Sequence, residues 1–258
     1  MDQTLKGQVA VITGASGGLG AHFAKVLADA GAAVALTARR LDLVENHASA
    51  IAGTGRQAMA LKLDVADAAS IGPAFDEVEA GLGPISILVN NAGVGGEGLA
   101  LDLSIEDWDR TFDVNVRGVF FASQQAARRM IASGVAERGD ARIVNIASIA
   151  SHTVLPGLSA YCASKASVAM LTRSLAREWA RRGVAVNAIC PGYIETDINA
   201  DWFQTEGGQK QMKGFPRRRL MDAGDLDAAL MMLSGPAARA ITGTVLTIDD
   251  GQSLPGGG

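Results

Sequence analysis

Tyr161 and Lys165 stand four residues apart in a stretch whose apolar spacing predicts a helix, so both project from one face. A phenol can hand a proton to an oxygen that is gaining negative charge, but free tyrosine titrates at about 10. An ammonium at Lys165 would stabilise the phenolate and bring that value down. Ser148 closes an apolar, β-prone run and would donate a hydrogen bond to the same developing oxyanion. Asn115 falls inside a long predicted helix, where a side-chain amide is a poor choice for packing alone. Taken alone, a Tyr and a Lys four apart fit equally well a half-buried tyrosine beside a solvent-reaching lysine. Four such groups in one chain carry the catalytic reading, with Asn115, Ser148, Tyr161 and Lys165 as the candidate set.

Positioning these groups is the task of a regular alternation along the chain. Short apolar runs predict strands at 8–13, 33–37, 58–63, 86–90, 142–147, 185–189 and 244–248. Helical patterns are predicted between them at 18–30, 41–52, 68–82, 105–133, 159–182 and 225–233. Ser104 with Asp107 reads as a helix start, and Gly31, Gly53 and Gly183 as helix ends. The rhythm predicts an α/β fold: a single-domain, Rossmann-type, doubly wound parallel sheet of about seven strands with helices on both faces. Residues 1–258 read as one domain, because 258 residues with 48% hydrophobic positions can fill one core. The segment at about 195–222 reads as a long irregular lid over a substrate, and 254–258 as a flexible tail.

The first strand leads directly into Thr13-Gly14-Ala15-Ser16-Gly17-Gly18-Leu19-Gly20 and then an Ala-rich helix. Glycines at a strand-to-helix turn let backbone approach a pyrophosphate, whose charge suits the positive end of the helix. The spacing is TGxxxGxG, not the GxGxxG of the common dinucleotide fingerprint. With Asn90-Asn91-Ala92-Gly93, Ser148, Tyr161-Cys162-Ala163-Ser164-Lys165 and Pro191-Gly192, the chain closely resembles the short-chain dehydrogenase/reductase family over roughly residues 7–250.

That resemblance implies hydride transfer between a nicotinamide cofactor and a carbonyl or secondary alcohol carbon, with Tyr161 as general acid/base. It implies that Asn115 binds a water relaying protons to Lys165, which also holds the nicotinamide ribose. Gly14, Ser16, Gly17, Gly18, Leu19 and Gly20 would surround the pyrophosphate. Asp64 and Val65 would contact the adenine, and Asn91, Ala92 and Gly93 the adenosine ribose. Asp64 equally suits a helix start, and Asn90 a tie between strands. Pro191 and Gly192 would border the cofactor, and the Ile194 backbone and Thr196 would hold the carboxamide. After the second strand stands Thr37-Ala38-Arg39-Arg40, with Ala38 where NAD-preferring members of the family tend to carry Asp. NADP(H) is therefore favoured over NAD(H), with Arg39 forking onto a 2′-phosphate and Arg40 beside it. Ordinary solvated charges are the alternative for both arginines.

Substrate contacts are expected from Ser148, His152, Leu155, Tyr161, Tyr193, Trp202 and Phe203. The alternative for Trp202 and Phe203 is packing into a neighbouring subunit, and for His152 a plain loop position. Gly207-Gly208 and Gly214 would give the lid hinges. A small-molecule ketone or alcohol is the first reading. A 3-oxoacyl-carrier-protein reductase is the second, with Arg217-Arg218-Arg219, Arg128, Arg129 and Arg173 meeting an acyl carrier protein. A non-catalytic nicotinamide-binding regulator is a third, disfavoured by the complete set of four polar groups.

A net charge of −4 argues against nucleic-acid and membrane-surface partners, and no run reaches the ~20 apolar residues of a membrane span. No His/Cys/carboxylate spacing predicts a metal site. Two cysteines, Cys162 and Cys190, fit a reduced, cytoplasmic protein without a disulfide. The family resemblance implies a homotetramer. Val119-Phe120-Phe121-Ala122 and the helix at 226–233 are more apolar than one buried face requires.

Overall fold

The computed structural model describes residues 4–96, 98–194 and 200–254. Seven strands are present: β1 (Val9–Thr13), β2 (Ala33–Ala38), β3 (Ala58–Lys62), β4 (Ile87–Asn90), β5 (Ala141–Ile146), β6 (Val184–Pro191) and β7 (Val245–Ile248). They form one sheet in the order β3-β2-β1-β4-β5-β6-β7, and every pairing is parallel. From β1 the chain winds outward through β2 and β3, then returns to place β4 on the opposite side of β1. A crevice therefore opens above the carboxyl ends of β1 and β4, where the winding reverses.

Helices α1 (Gly18–Asp29), α2 (Leu41–Ala52), α3 (Ala68–Leu82), α4 (Ile105–Phe112), α5 (Val119–Ala132) and α6 (Ser159–Trp179) follow the predicted pattern closely. Three more, α7 (Ala200–Gln204), α8 (Glu206–Gly214) and α9 (Asp227–Ser234), complete the order. Strand residues alternate between two cores. Ala10, Ile12, Val34, Leu36, Ile87, Val89 and Val144 pack with Phe23 and Leu27 of α1 and Leu230 of α9. Val9, Val11, Leu88, Ile143 and Val186 pack with Phe75 of α3, Met130 of α5 and Leu175 of α6. Both strand faces being apolar, helices must cover both.

Two expectations are corrected. The helix predicted over 105–133 is interrupted by a wider π turn, Asp113–Gly118, between α4 and α5. The expected irregular segment contains α7 and α8, because Thr205 accepts a hydrogen bond from the Gly208 N–H and starts α8. Gly207 and Gly208 are packing positions here. A Cβ on Gly208 would overlap Trp202's carbonyl oxygen, and one on Gly207 would stand 2.9 Å from the Trp202 ring. Ser104 does cap its helix, accepting from the Asp107 N–H at 3.0 Å. Gly183 ends its helical stretch in the left-handed conformation at φ 77°.

Asn90 serves the sheet. Buried at the end of β4, its Nδ2 donates to Ser123 Oγ at 2.9 Å and Asn145 Oδ1 at 2.8 Å. Asn145 in turn donates to Thr172 Oγ1 at 2.9 Å, so one polar chain joins β4, β5, α5 and α6. Asn90→Ala should cost about 1–3 kcal/mol in urea unfolding, because it leaves buried partners unpaired. An unchanged unfolding midpoint would show that the network contributes nothing net.

Candidate functional site

The glycine turn follows β1 and is stitched to the end of β4. Thr13 Oγ1 accepts from the N–H groups of Asn91 and Ala92, each at 3.1 Å. Asn91 Nδ2 donates to the carbonyls of Thr13 and Gly14, also at 3.1 Å. Gly14 lies at φ 68°, and a Cβ there would come within 2.7 Å of Ala92 Cα. At Gly20 a Cβ would overlap the Gly14 carbonyl oxygen. Gly18 is different: φ is 52°, yet nothing within 4 Å would meet its Cβ. The first turn of α1 has no side-chain cap and no acidic residue. Uncapped N–H groups, the positive end of a twelve-residue helix and open space over Gly18 suit a phosphate-bearing ligand. Leu19 packs partly buried against the α1 side of the sheet.

Ala38 is buried at the end of β2, and no carboxylate stands there. Both following arginines are exposed, and it is Arg40 that reaches the glycine turn, its Nη2 donating to Ser16 Oγ at 3.0 Å. Asp64 accepts from the Ala66 N–H within its own turn, whereas Asp67 caps α3 by accepting from Ala69. Val65 is buried against Gly118, where a side chain would stand 2.9 Å from the Val65 side chain and carbonyl.

Asn115 sits in the π turn, fully buried. Its Oδ1 accepts from the Val94 N–H at 2.9 Å, and its Nδ2 donates to the Val94 carbonyl at 2.9 Å and Ser164 Oγ at 3.0 Å. The wider turn thus clamps the loop after β4 to α6. A Cβ on Gly93 would lie 3.4 Å from Asn115 Oδ1 and 3.5 Å from Lys165 Nζ, so glycine keeps the space between them open.

Ser148 follows β5, its Oγ accepting from the Ala150 N–H at 3.1 Å. Tyr161 and Lys165 share the face of α6 turned toward it, with Lys165 Nζ 5.6 Å from the centre of the Tyr161 ring. Lys165 Nζ is buried and donates to the Ile146 carbonyl at 2.8 Å. Burial pushes its pKa down from 10.5 to about 8, with a smaller opposing influence from Cys190. Burial also raises the Tyr161 pKa, opposed by a hydrogen bond from Ser148. This reverses the expected direction for Tyr161. Desolvation of the phenolate outweighs nearby stabilisation, and the Lys165 ammonium is directed at a backbone carbonyl.

Pro191 ends β6, with Gly192, Tyr193 and Ile194 beyond it. The Tyr193 ring stacks on Phe215 at 5.3 Å and meets the edge of Phe203 at 5.7 Å. Phe203 is buried, and Trp202 is half exposed with Nε1 donating to Gln211 Oε1 at 2.9 Å. Thr196 lies outside the described residues. His152 and Leu155 line an apolar cavity of about 450 Å³ together with Cys162, Ala163 and Ala166. By helical spacing those three residues occupy a different face of α6 from Tyr161 and Lys165. The sequence offered no signal for the Ile146 carbonyl or for Ser164, which ties Asn115 to the Tyr161 carbonyl. Thr13 could have been found from its place just before the first glycine of the turn.

A doubly wound parallel sheet with a glycine turn at its switch point and a Ser, Tyr and Lys gathered beside it defines a dinucleotide-binding oxidoreductase. The chain belongs to the short-chain dehydrogenase family, whose model matches residues 8–207. It is 38% identical to D-threitol dehydrogenase of Mycolicibacterium smegmatis, covering 98% of this chain and 95% of that one. With gluconate 5-dehydrogenase of Gluconobacter oxydans it shares 35% identity over 97% of this chain and 96% of the other. A gluconate 5-dehydrogenase structure from Burkholderia cenocepacia J2315, in complex with NADP and tartrate, matches with a TM-score of 0.91 at 34% identity, covering 98% of each chain.

Gly18→Ala and Gly20→Ala should separate binding from folding. Gly18→Ala is expected to fold, losing about 1–2 kcal/mol to left-handed strain, while dinucleotide affinity measured by titration falls by roughly tenfold or more. Gly20→Ala should fail to fold stably. Lys165 makes a second prediction. Its folded pKa lies below the unfolded value of 10.5, so the unfolded chain holds the extra proton between about pH 8 and 10.5. Stability relative to Lys165→Met should therefore rise with pH across that window and stay level below it. Paired urea titrations from pH 7 to 10.5 read this directly.

Proposed function

We propose that the chain transfers a hydride between NADP(H) and the carbon of a ketone or secondary alcohol, with Tyr161 as general acid/base. The observation that carries this reading is the gathering of Ser148, Tyr161 and the buried Lys165 at the carboxyl ends of the strands, with Lys165 Nζ 5.6 Å from the centre of the Tyr161 ring. The nicotinamide group, when bound, supplies or accepts the hydride. For reduction, the raised Tyr161 pKa keeps the phenol protonated at neutral pH, ready to give its proton to the substrate oxygen. Ser148 donates to that oxygen as charge develops. Lys165, largely protonated below about pH 8, stabilises the phenolate left behind. Gly93 leaves room between Asn115 and Lys165 for the water that the family reading gives to proton relay.

For the cofactor, the missing acid after β2 and the Arg40 guanidinium beside Ser16 favour a 2′-phosphate. Arg40 is better placed for this than Arg39. NADP bound to the Burkholderia relative supports the same choice. Ile194 and Thr196 would hold the carboxamide. Relatives named for threitol and gluconate make a secondary alcohol within a small hydroxylated molecule the leading substrate class. The arginines expected to greet a carrier protein are partly engaged inside the chain: Arg217 and Arg219 with Asp250, Arg129 with Asp76 and Glu79. This favours a free small molecule over an acyl carrier substrate.

The protein is proposed to work as a cytoplasmic homotetramer. Half-buried Phe120 and Trp179 border a groove of about 280 Å³ between α5 and α6, which a second copy would cover. No helix among the described residues is long and apolar enough to cross a membrane.

Initial rates with NADPH and NADH across polyol, sugar-acid, simple ketone and acetoacetyl thioester substrates test the reading. Turnover with NADPH preferred is expected, and Tyr161→Phe should lower kcat by about 10²-fold or more while NADPH binding persists. Preference for NADH would overturn the cofactor assignment. Turnover confined to thioesters would replace the substrate class.

A further inference from the structure

Among described residues other than glycine, two hold a left-handed backbone: Arg218 at φ 53° and Asp250 at φ 56°. Both belong to one junction. Asp250 follows β7, and its nearly buried carboxylate receives Arg217 Nε on Oδ1 at 3.1 Å and Arg219 Nε on Oδ2 at 2.9 Å. Arg218, between them, takes the strained conformation that accompanies turning both neighbours to one acid. Strain on each side of an ion pair persists only where surrounding contacts hold it, and such places often serve function.

What the junction touches is the end of β6. The Arg219 carbonyl accepts from Gln252 Nε2 at 3.4 Å, and Gln252 Oε1 accepts from the Tyr193 N–H at 2.6 Å. Two residues beyond Arg219, the Met221 N–H donates to the Tyr193 carbonyl at 2.9 Å, and Met221 pairs with Ile194. Gly192 packs so closely on this segment that a Cβ there would stand 2.5 Å from Gln252 Oε1. The backbone of Gly192, Tyr193 and Ile194 is thus held between the 249–252 turn and the 217–221 strand of chain.

We propose that Asp250 is a positioning residue for nicotinamide binding: by gripping Arg217 and Arg219 it sets where the Tyr193–Ile194 backbone stands. The proposal takes Ile194 as a cofactor contact and so rests on the function proposed above. Arg219 keeps a second, longer pair with Asp225 at 3.6 Å, so losing Asp250 loosens the segment without releasing it. The consequence should fall on binding, because Asp250 acts through the Tyr193–Ile194 backbone.

Asp250→Gly is the decisive variant, since glycine accepts the left-handed backbone without strain and removes only the carboxylate. Asp250→Asn tests the same loss with side-chain shape kept. Both are expected to keep the unfolding temperature of the parent while KM for the nicotinamide cofactor rises about tenfold and kcat changes less than about twofold. Trypsin cleavage at Arg217–Arg219 should quicken in both, as local opening becomes easier. Unchanged KM with unchanged cleavage would overturn the proposal, as would a fall in kcat at constant KM. Should the parent enzyme show no turnover, the functional reading fails separately. Cleavage then decides: faster cutting supports the grip by Asp250, and equal cutting overturns it.

Discussion

The crevice of this protein depends on a close approach of two backbones, the glycine turn after β1 and the chain leaving β4. Parallel pairing of β1 with β4 brings the two ends together but leaves their exposed N–H and carbonyl groups without ladder partners. Thr13 and Asn91 supply those partners, and glycine at 14 and 20 removes the side chains that would hold the backbones apart. Every other candidate group is placed relative to that seam. The uncapped start of α1 opens beside it, Gly93 extends it toward Lys165, and Ser148 stands one strand further along.

A second constraint is electrostatic. Lys165 is buried, donating among the described residues to one backbone carbonyl, and burial lowers its pKa to about 8. Tyr161 responds to the same dry surroundings in the opposite direction, because its charged form is the deprotonated one. The pair is therefore a protonated phenol beside an ammonium that gives up its proton with little provocation.

The π turn at Asp113–Gly118 shows how a local departure from regular helix serves the site. A regular helix through this region would follow the i→i−4 ladder; the wider turn instead lets the Asn115 amide clamp Val94 and Ser164. Gly118, the last residue of the turn, allows Val65 to pack directly on the helix backbone. Two loops at the crevice are thereby tied to one helix junction.

Much of this was legible in the residues themselves. Apolar runs separated by helical patterns specify a parallel α/β sheet, because strands apolar on both faces need helices on both sides. The glycine spacing, Ser148, and a Tyr and Lys four apart pointed to the chemistry because together they resemble one family's motifs. Distances between elements were another matter. That Arg40 rather than Arg39 reaches Ser16, that His152 and Leu155 line an apolar cavity with α6, and that Asp250 grips two arginines all depend on how separate elements pack. The direction of the Tyr161 shift likewise required the folded chain, because desolvation comes from surrounding atoms and not from residue spacing. Sequence determined which groups were available and on which strand ends they stand; tertiary packing decided which of them meet and in what dielectric, because both are properties of neighbours distant along the chain.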